Sequence, residues 1–165
     1  MTPVTIPAPL WRRLAAALYD ALVLGASWLV AAFADVVIRD LAGLPRSTTF
    51  LQALLFLVGL AIFGWQWTHG GRTVGMRAWR LLLRREDGAP LRWPVAAVRY
   101  AAMLASWLVA LAPWFLAVLP AKAAVPHRGA LLAATSALTL LGVALFFLDG
   151  RRRAPHDRIA GTEVV

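Results

Sequence analysis

Residues 11–38, WRRLAAALYDALVLGASWLVAAFADVVI, decide the fold of this 165-residue chain. From Leu14 to Ile38 the only charged residues are Asp20 and Asp35. A helix needs roughly 20 apolar residues to cross about 30 Å of hydrocarbon, so the stretch reads as a transmembrane helix that carries a carboxylate. Seven residues return an α-helix to nearly the same azimuth about 10 Å further along its axis. Arg13 therefore stands above Asp20 on one face. A charge at that depth costs about 3 kcal/mol on insertion scales, which predicts that this face meets other helices or water and not lipid. Ala17, Ala21 and Gly25, at four-residue spacing, form an adjoining strip on which another helix could come close.

The composition around this helix has the same character. The chain is 61% hydrophobic and 15% charged, with a mean hydropathy of +0.69, which places it among integral membrane proteins. It has no cysteine, so neither a disulfide framework nor a thiolate metal site is available. The AFA before Asp35 resembles a signal-peptidase site, but the apolar run exceeds the roughly 7–15 residues of a signal core and contains Asp20, so the segment is expected to be retained.

Hydropathy and punctuation divide the chain into four spans within a single membrane domain covering 1–165. The spans lie at about 14–38, 50–67, 95–119 and 129–148, with an exposed lead-in, a loop over 68–94 and a tail over 149–165. Asp35 and Arg39, four apart, are expected to pair at the end of the first helix. Trp65 and Trp67 close the second span at the depth of an aromatic belt. Pro94 suits the first turn of the third span, and Pro113 should kink or break its far half. Thr135, Ser136 and Thr139 in the fourth span are expected to bond back to their own helix. In the loop, LLLRREDGAPLRW sets Asp87-Gly88 between apolar and basic residues, a hairpin-like signal limited by Pro90. The predicted fold class is an all-α membrane protein: a four-transmembrane-helix bundle with a short amphipathic segment, hairpin-like in pattern, between helices 2 and 3.

The net charge of +9 could indicate nucleic acid, but its distribution follows topology. Twelve of the 17 Lys and Arg residues fall in the lead-in, the 68–94 stretch and the tail, against four in the two intervening loops, with Arg99 inside the third span. The positive-inside rule then places both termini in the cytoplasm, in a bacterial inner membrane. The basic loop reads as a face for anionic lipid phosphates and not as a nucleic-acid patch.

The hexapeptide ASWLVA occurs at 26–31 and again at 105–110, an offset of 79 residues that also carries Asp20 onto Arg99. Opposite charges would thus sit at equivalent depths in two helices that run the same way. A buried Arg13–Asp20–Arg99 cluster would lower the burial cost of each member, although Arg99, near a helix end, could instead snorkel.

These motifs resemble the RDD family of membrane proteins. WRRLAAALYD, with Arg13, Ala16 and Asp20, is similar to the family's first-helix pattern. GRTVGMRAWRLLLRREDGAPLRWPVAAVR resembles its loop after the second helix, with Gly71, Thr73, Gly75, Asp87, Gly88 and Arg99 in place. HDRIAGTEVV resembles the closing segment, with Asp157 as the second aspartate. The resemblance implies participation in transport of poorly defined ligands, with sodium/proton exchange proposed for some members, or a place inside larger membrane assemblies.

Two functions remain open on these residues. A small transporter, working as a homo-oligomer on an ion or solute, would use Asp20 to bind a proton or a hard cation and Asp157 with His156 as a relay, since histidine titrates near neutral pH. Held by two arginines, however, Asp20 would stay ionised and bind cations poorly. A scaffold would instead use the charges to fix helix packing and its basic face to bind a partner or anionic lipid. His69, His127 and His156 lie in separate loops without metal-ligand spacing, and no nucleophile or phosphate-loop motif occurs, so neither catalysis nor a cofactor is expected.

Overall fold

The chain is an all-α integral membrane protein. In the computed structural model, which describes residues 8–120, 125–150 and 153–165, the elements are α1 (Leu10–Leu41), α2 (Thr48–Gly70), α3 (Val74–Ala78), β1 (Leu83–Arg85), α4 (Trp93–Val118), α5 (Arg128–Leu148), α6 (Pro155–Ile159) and β2 (Thr162–Val164). The start of the lead-in at 1–7, the loop residues 121–124 including Lys122, and Arg151 and Arg152 lie outside the described residues. Among the described residues, α1, α2, α4 and α5 are the four helices long and apolar enough to cross a membrane.

The spans exceed or match the sequence-based limits for local reasons. At 32 residues α1 is about 48 Å long, well beyond the hydrocarbon, because Arg12 and Arg13 continue the helix into a polar layer. The Ser47 side chain accepts from Phe50 N at 3.2 Å to start α2, and Gly71 ends it in the left-handed region at φ 59°. Pro113 does not break α4, which runs on to Val118. Asp35 and Arg39 pair at 2.7 Å, and the Arg39 guanidinium also covers the Phe50 ring. The hydroxyls of Thr135 and Thr139 donate to Leu131 O and Thr135 O, as membrane-helix hydroxyls do.

The order of packing is set by α2, which lies against α1 on one side and α4 on the other, while α5 packs on α4. Gly59 makes room for the Tyr100 hydroxyl, and Gly64 for the Trp93 ring. Trp28 reaches across from α1 to donate to Leu55 O at 2.8 Å. Outward faces keep large apolar residues fully exposed, such as Leu29, Leu108 and Leu148, as a lipid-facing surface requires.

The tightest core lies at one end of the bundle, where α1 begins. There Leu81, Leu83, Leu91, Val164 and Tyr100 are buried together. The loop after α2 wraps this end. Its Trp79 ring stands edge-on to Trp11 and Tyr19, and the Trp79 carbonyl accepts from Arg12. Asp87-Gly88 does form a turn, with Gly88 at φ 73°, but the chain beyond it does not return as a strand. Pro90 has no N–H to offer a ladder. Instead β1 pairs antiparallel with β2 from the tail, in the register Leu83 with Val164, Arg84 with Glu163 and Arg85 with Thr162. The hairpin pattern thus resolves as a ribbon between loop and tail, extended by Leu82 and Val165, which bond each other in both directions.

Candidate functional site

Charged and polar side chains gather at this wrapped end in two knots. The first centres on Asp157, the third residue of α6, whose Oδ2 accepts from Ala154 N at 3.1 Å and so caps its own helix. Arg99, buried in α4, donates Nη1 to Asp157 Oδ1, and the same nitrogen reaches Thr162 Oγ1 at 2.5 Å. Arg13 brings Nη1 to 3.6 Å from Asp157 Oδ2, while its Nη2 donates to Val164 O at 2.5 Å and its Nε to Ala8 O at 3.2 Å. Both arginines also lie over aromatic faces, Arg99 at 5.1 Å from the Trp67 ring and Arg13 at 5.7 Å from Phe146. Burial alone would raise the Asp157 pKa, but the Arg99 and Arg13 guanidiniums overcome it and hold the carboxyl below the ordinary carboxylate range. His156 sits 3.8 Å from the same carboxylate, yet burial, assisted by Arg99 and Arg13, pushes its pKa down to about 4. It is therefore neutral at pH 7 and makes no ion pair there.

The second knot holds Asp20. Its Oδ2 accepts from the Thr73 hydroxyl at 2.5 Å and its Oδ1 from Gly75 N at 2.8 Å. Thr73 is doubly used, because its oxygen also accepts from Met76 N and starts α3. Gly75 is needed sterically: a Cβ there would run into the Ala16 carbonyl of α1. The predicted Arg13–Asp20–Arg99 cluster is thus corrected. The arginines converge on Asp157, and Asp20 is held by two neutral donors from the loop. Guanidinium forks find in the tail a carboxylate, a hydroxyl and a carbonyl at once, whereas the turn at 73–75 offers Asp20 donors already aimed by helix capping.

Both knots open onto one cavity of about 460 Å³ between α1 and α4. Arg13, Asp20, Arg99, His156 and Asp157, the five residues singled out from the sequence, all line this cavity. The strip of Ala17, Ala21 and Gly25 lines this cavity, which no helix among the described residues fills. Gly25 has nothing within 4 Å of where a Cβ would stand. The repeat of 79 residues also recurs in space. Asp20, Leu24, Gly25 and Trp28 face the cavity from α1, and the residues at the same offset, Arg99, Met103, Leu104 and Trp107, face it from α4. Sequence reasoning did not find Thr162 or the pairing roles of Thr73 and Gly75. A threonine two residues after a helix-ending glycine was the signal available for Thr73.

Residues 7–161 match the RDD family, nearly the whole chain, and the protein belongs to that family. No curated protein and no solved structure matches it.

Proposed function

We propose that this RDD family protein is a small transporter-like protein of a bacterial inner membrane, in which Asp20 binds the exchanging proton or cation and the solute path is the cavity between α1 and α4. One observation carries the reading: a single cavity reaches Asp20 and is bordered by Arg13, Arg99, His156 and Asp157. Asp157 has its oxygens occupied by two guanidiniums and a backbone N–H, so it anchors the tail and is not free to exchange. His156, pushed down to about 4, is a poor relay near neutral pH. Among the described residues Asp20 has only neutral donors, so a proton or cation arriving there meets a carboxylate that no described arginine pairs with.

The excess of arginine at the wrapped end orients it toward the cytoplasm, together with both termini. A homo-oligomer is the working form in this reading, because four spans are few for a transporter. No covalent chemistry is assigned.

The test is proton flux into liposomes loaded with a pH-sensitive dye on addition of sodium, lithium or potassium. We expect cation-driven flux in the native protein and its loss in Asp20→Asn that elutes as the native oligomer. The scaffold reading is favoured by the sealed Asp157 knot. It predicts no flux in either protein under conditions where a known exchanger works.

A further inference from the structure

We propose that the cavity between α1 and α4 is a binding slot for an anionic phospholipid, its acyl chain lying between the two helices and its phosphate at the Arg99–Trp67 end. This rests on the same cavity as the transporter reading but not on flux.

The shape is that of a slot. Lining residues run along α1 from Leu10 to Trp28, a rise of about 27 Å. Over that length the volume is about 460 Å³. A helix with its side chains is about 10 Å wide, whereas an extended hydrocarbon chain is far thinner and suits a long, narrow cleft. Its walls beyond the polar end are apolar, with Leu24 and Trp28 facing Met103, Trp107 and Leu111. An apolar stretch of wall of this kind takes apolar ligand surface.

The polar end asks for an acceptor. Arg99 and Trp67 are each 2% exposed and line the cavity, and Arg99 Nε and Trp67 Nε1 are buried donors with no acceptor among the described residues. Buried donors of this kind are rare, because each leaves a desolvated N–H unpaired. Phosphate oxygens are the acceptors that such donors lack, and the two side chains are neighbours, the Arg99 guanidinium lying 5.1 Å from the Trp67 ring. The nitrogens are shielded from water, so the head group must shift a neighbour. Met76 and Met103, unbranched and readily repacked, line the same region. The rim beyond is basic: Arg72, Arg77, Arg80 and Arg92 are exposed at this end, which favours an anionic over a zwitterionic lipid.

The experiment uses the full chain in phosphatidylcholine vesicles containing a trace of phosphatidylglycerol with a photoreactive diazirine in one acyl chain. After irradiation, labelled positions are mapped by peptide mass spectrometry. We expect labelling at Leu24, Met103 and Trp107 to exceed that at the outward-facing Leu22 and Leu108 by about tenfold. Gly25→Leu, built where a Cβ meets open space, should remove most of the excess while leaving Leu22 and Leu108 unchanged. A phosphatidylcholine carrying the same diazirine should label the slot about threefold less, and Trp67→Phe should narrow that difference. Uniform labelling of slot and outer positions would overturn the proposal in favour of annular lipid. So would equal labelling by the two head groups. A slot protected from the probe in a Gly25→Cys variant that oxidises to a disulfide-linked dimer would assign it to a second copy. Lipid occupancy is read without any ion gradient, so failed exchange leaves it standing, and uniform labelling leaves the flux result standing.

Discussion

Asp157 and Asp20 border one cavity, yet they are held in opposite ways. Asp157 lies in a knot of ion pairs: Arg99, Arg13 and a backbone N–H surround it, and it is 1% exposed. Asp20 is held by one hydroxyl and one backbone N–H, with no arginine among its partners in the described residues. Under the transporter reading, this difference separates structure from function. A buried carboxylate compensated by two guanidiniums is a lock, stable while every member remains and costly when one leaves. A carboxylate held by neutral donors keeps a charge that something else can balance.

The largest effect expected from this contrast is at Arg99. Replacing it by methionine, Arg99→Met, leaves Asp157 buried with its main partner gone and should destabilise the folded protein by about 3–5 kcal/mol. Thermal unfolding in detergent micelles reads this directly, and a loss below about 1 kcal/mol would show that the knot is not a lock. Acid titration sharpens the same point with two separate signatures. The folded pKa of His156 lies below its unfolded value of about 6.5, so the unfolded chain binds the extra proton and stability falls as the pH drops from about 6.5 to 4, by roughly 2–3 kcal/mol. Asp157, also depressed, keeps its contribution above about pH 4 and loses it only as the pH falls further, through its folded pKa. His156→Gln should flatten the upper window and spare the lower one; an unchanged slope between pH 4 and 6.5 would contradict the burial of a neutral imidazole.

A smaller effect is expected at the second knot. Thr73→Val removes both the donor to Asp20 and the cap of α3, at a cost of about 1–2 kcal/mol, and Thr73→Ser should restore most of it. If valine and serine behave alike, the hydroxyl is not what holds Asp20. The smallest change has the opposite sign. Gly25→Ala places a methyl in open space on an uninterrupted helix and should raise stability by up to about 0.5–1 kcal/mol, measured in the same unfolding assay. Destabilisation there would mean that the slot is closed in the working protein.

How far these features could be read from the sequence follows from the distance between partners along the chain. The four spans and the Asp35–Arg39 pair are local, set by apolar runs and by a four-residue spacing, and they stand where the pattern placed them. That Arg13, Asp20 and Arg99 would border a common interior space was legible because charges in or beside apolar helices have few places to go. Which charge meets which was not. Arg13 and Asp20 share a helical stripe, but the Arg13 side chain bonds the Val164 carbonyl 151 residues away, a contact that no periodicity encodes. For the same reason the Asp87-Gly88 turn pointed to a hairpin, while β1 found its partner in the tail, where an unbroken β-prone run supplied the N–H groups that Pro90 lacks. The small-residue strip on α1 showed a close approach without showing that the approaching body would be missing.

The pairing of Arg99 with a residue 58 positions later has a consequence for biosynthesis. At roughly 5–20 residues per second, a ribosome completes Asp157 about 3–12 s after Arg99 has been made. During that interval α4 enters the bilayer with an arginine near its end and no carboxylate to meet it, so Arg99 must wait at the interface. The bundle end therefore closes only after translation has passed α6 and β2. A nascent chain halted before Asp157 would lack the carboxylate that closes this latch.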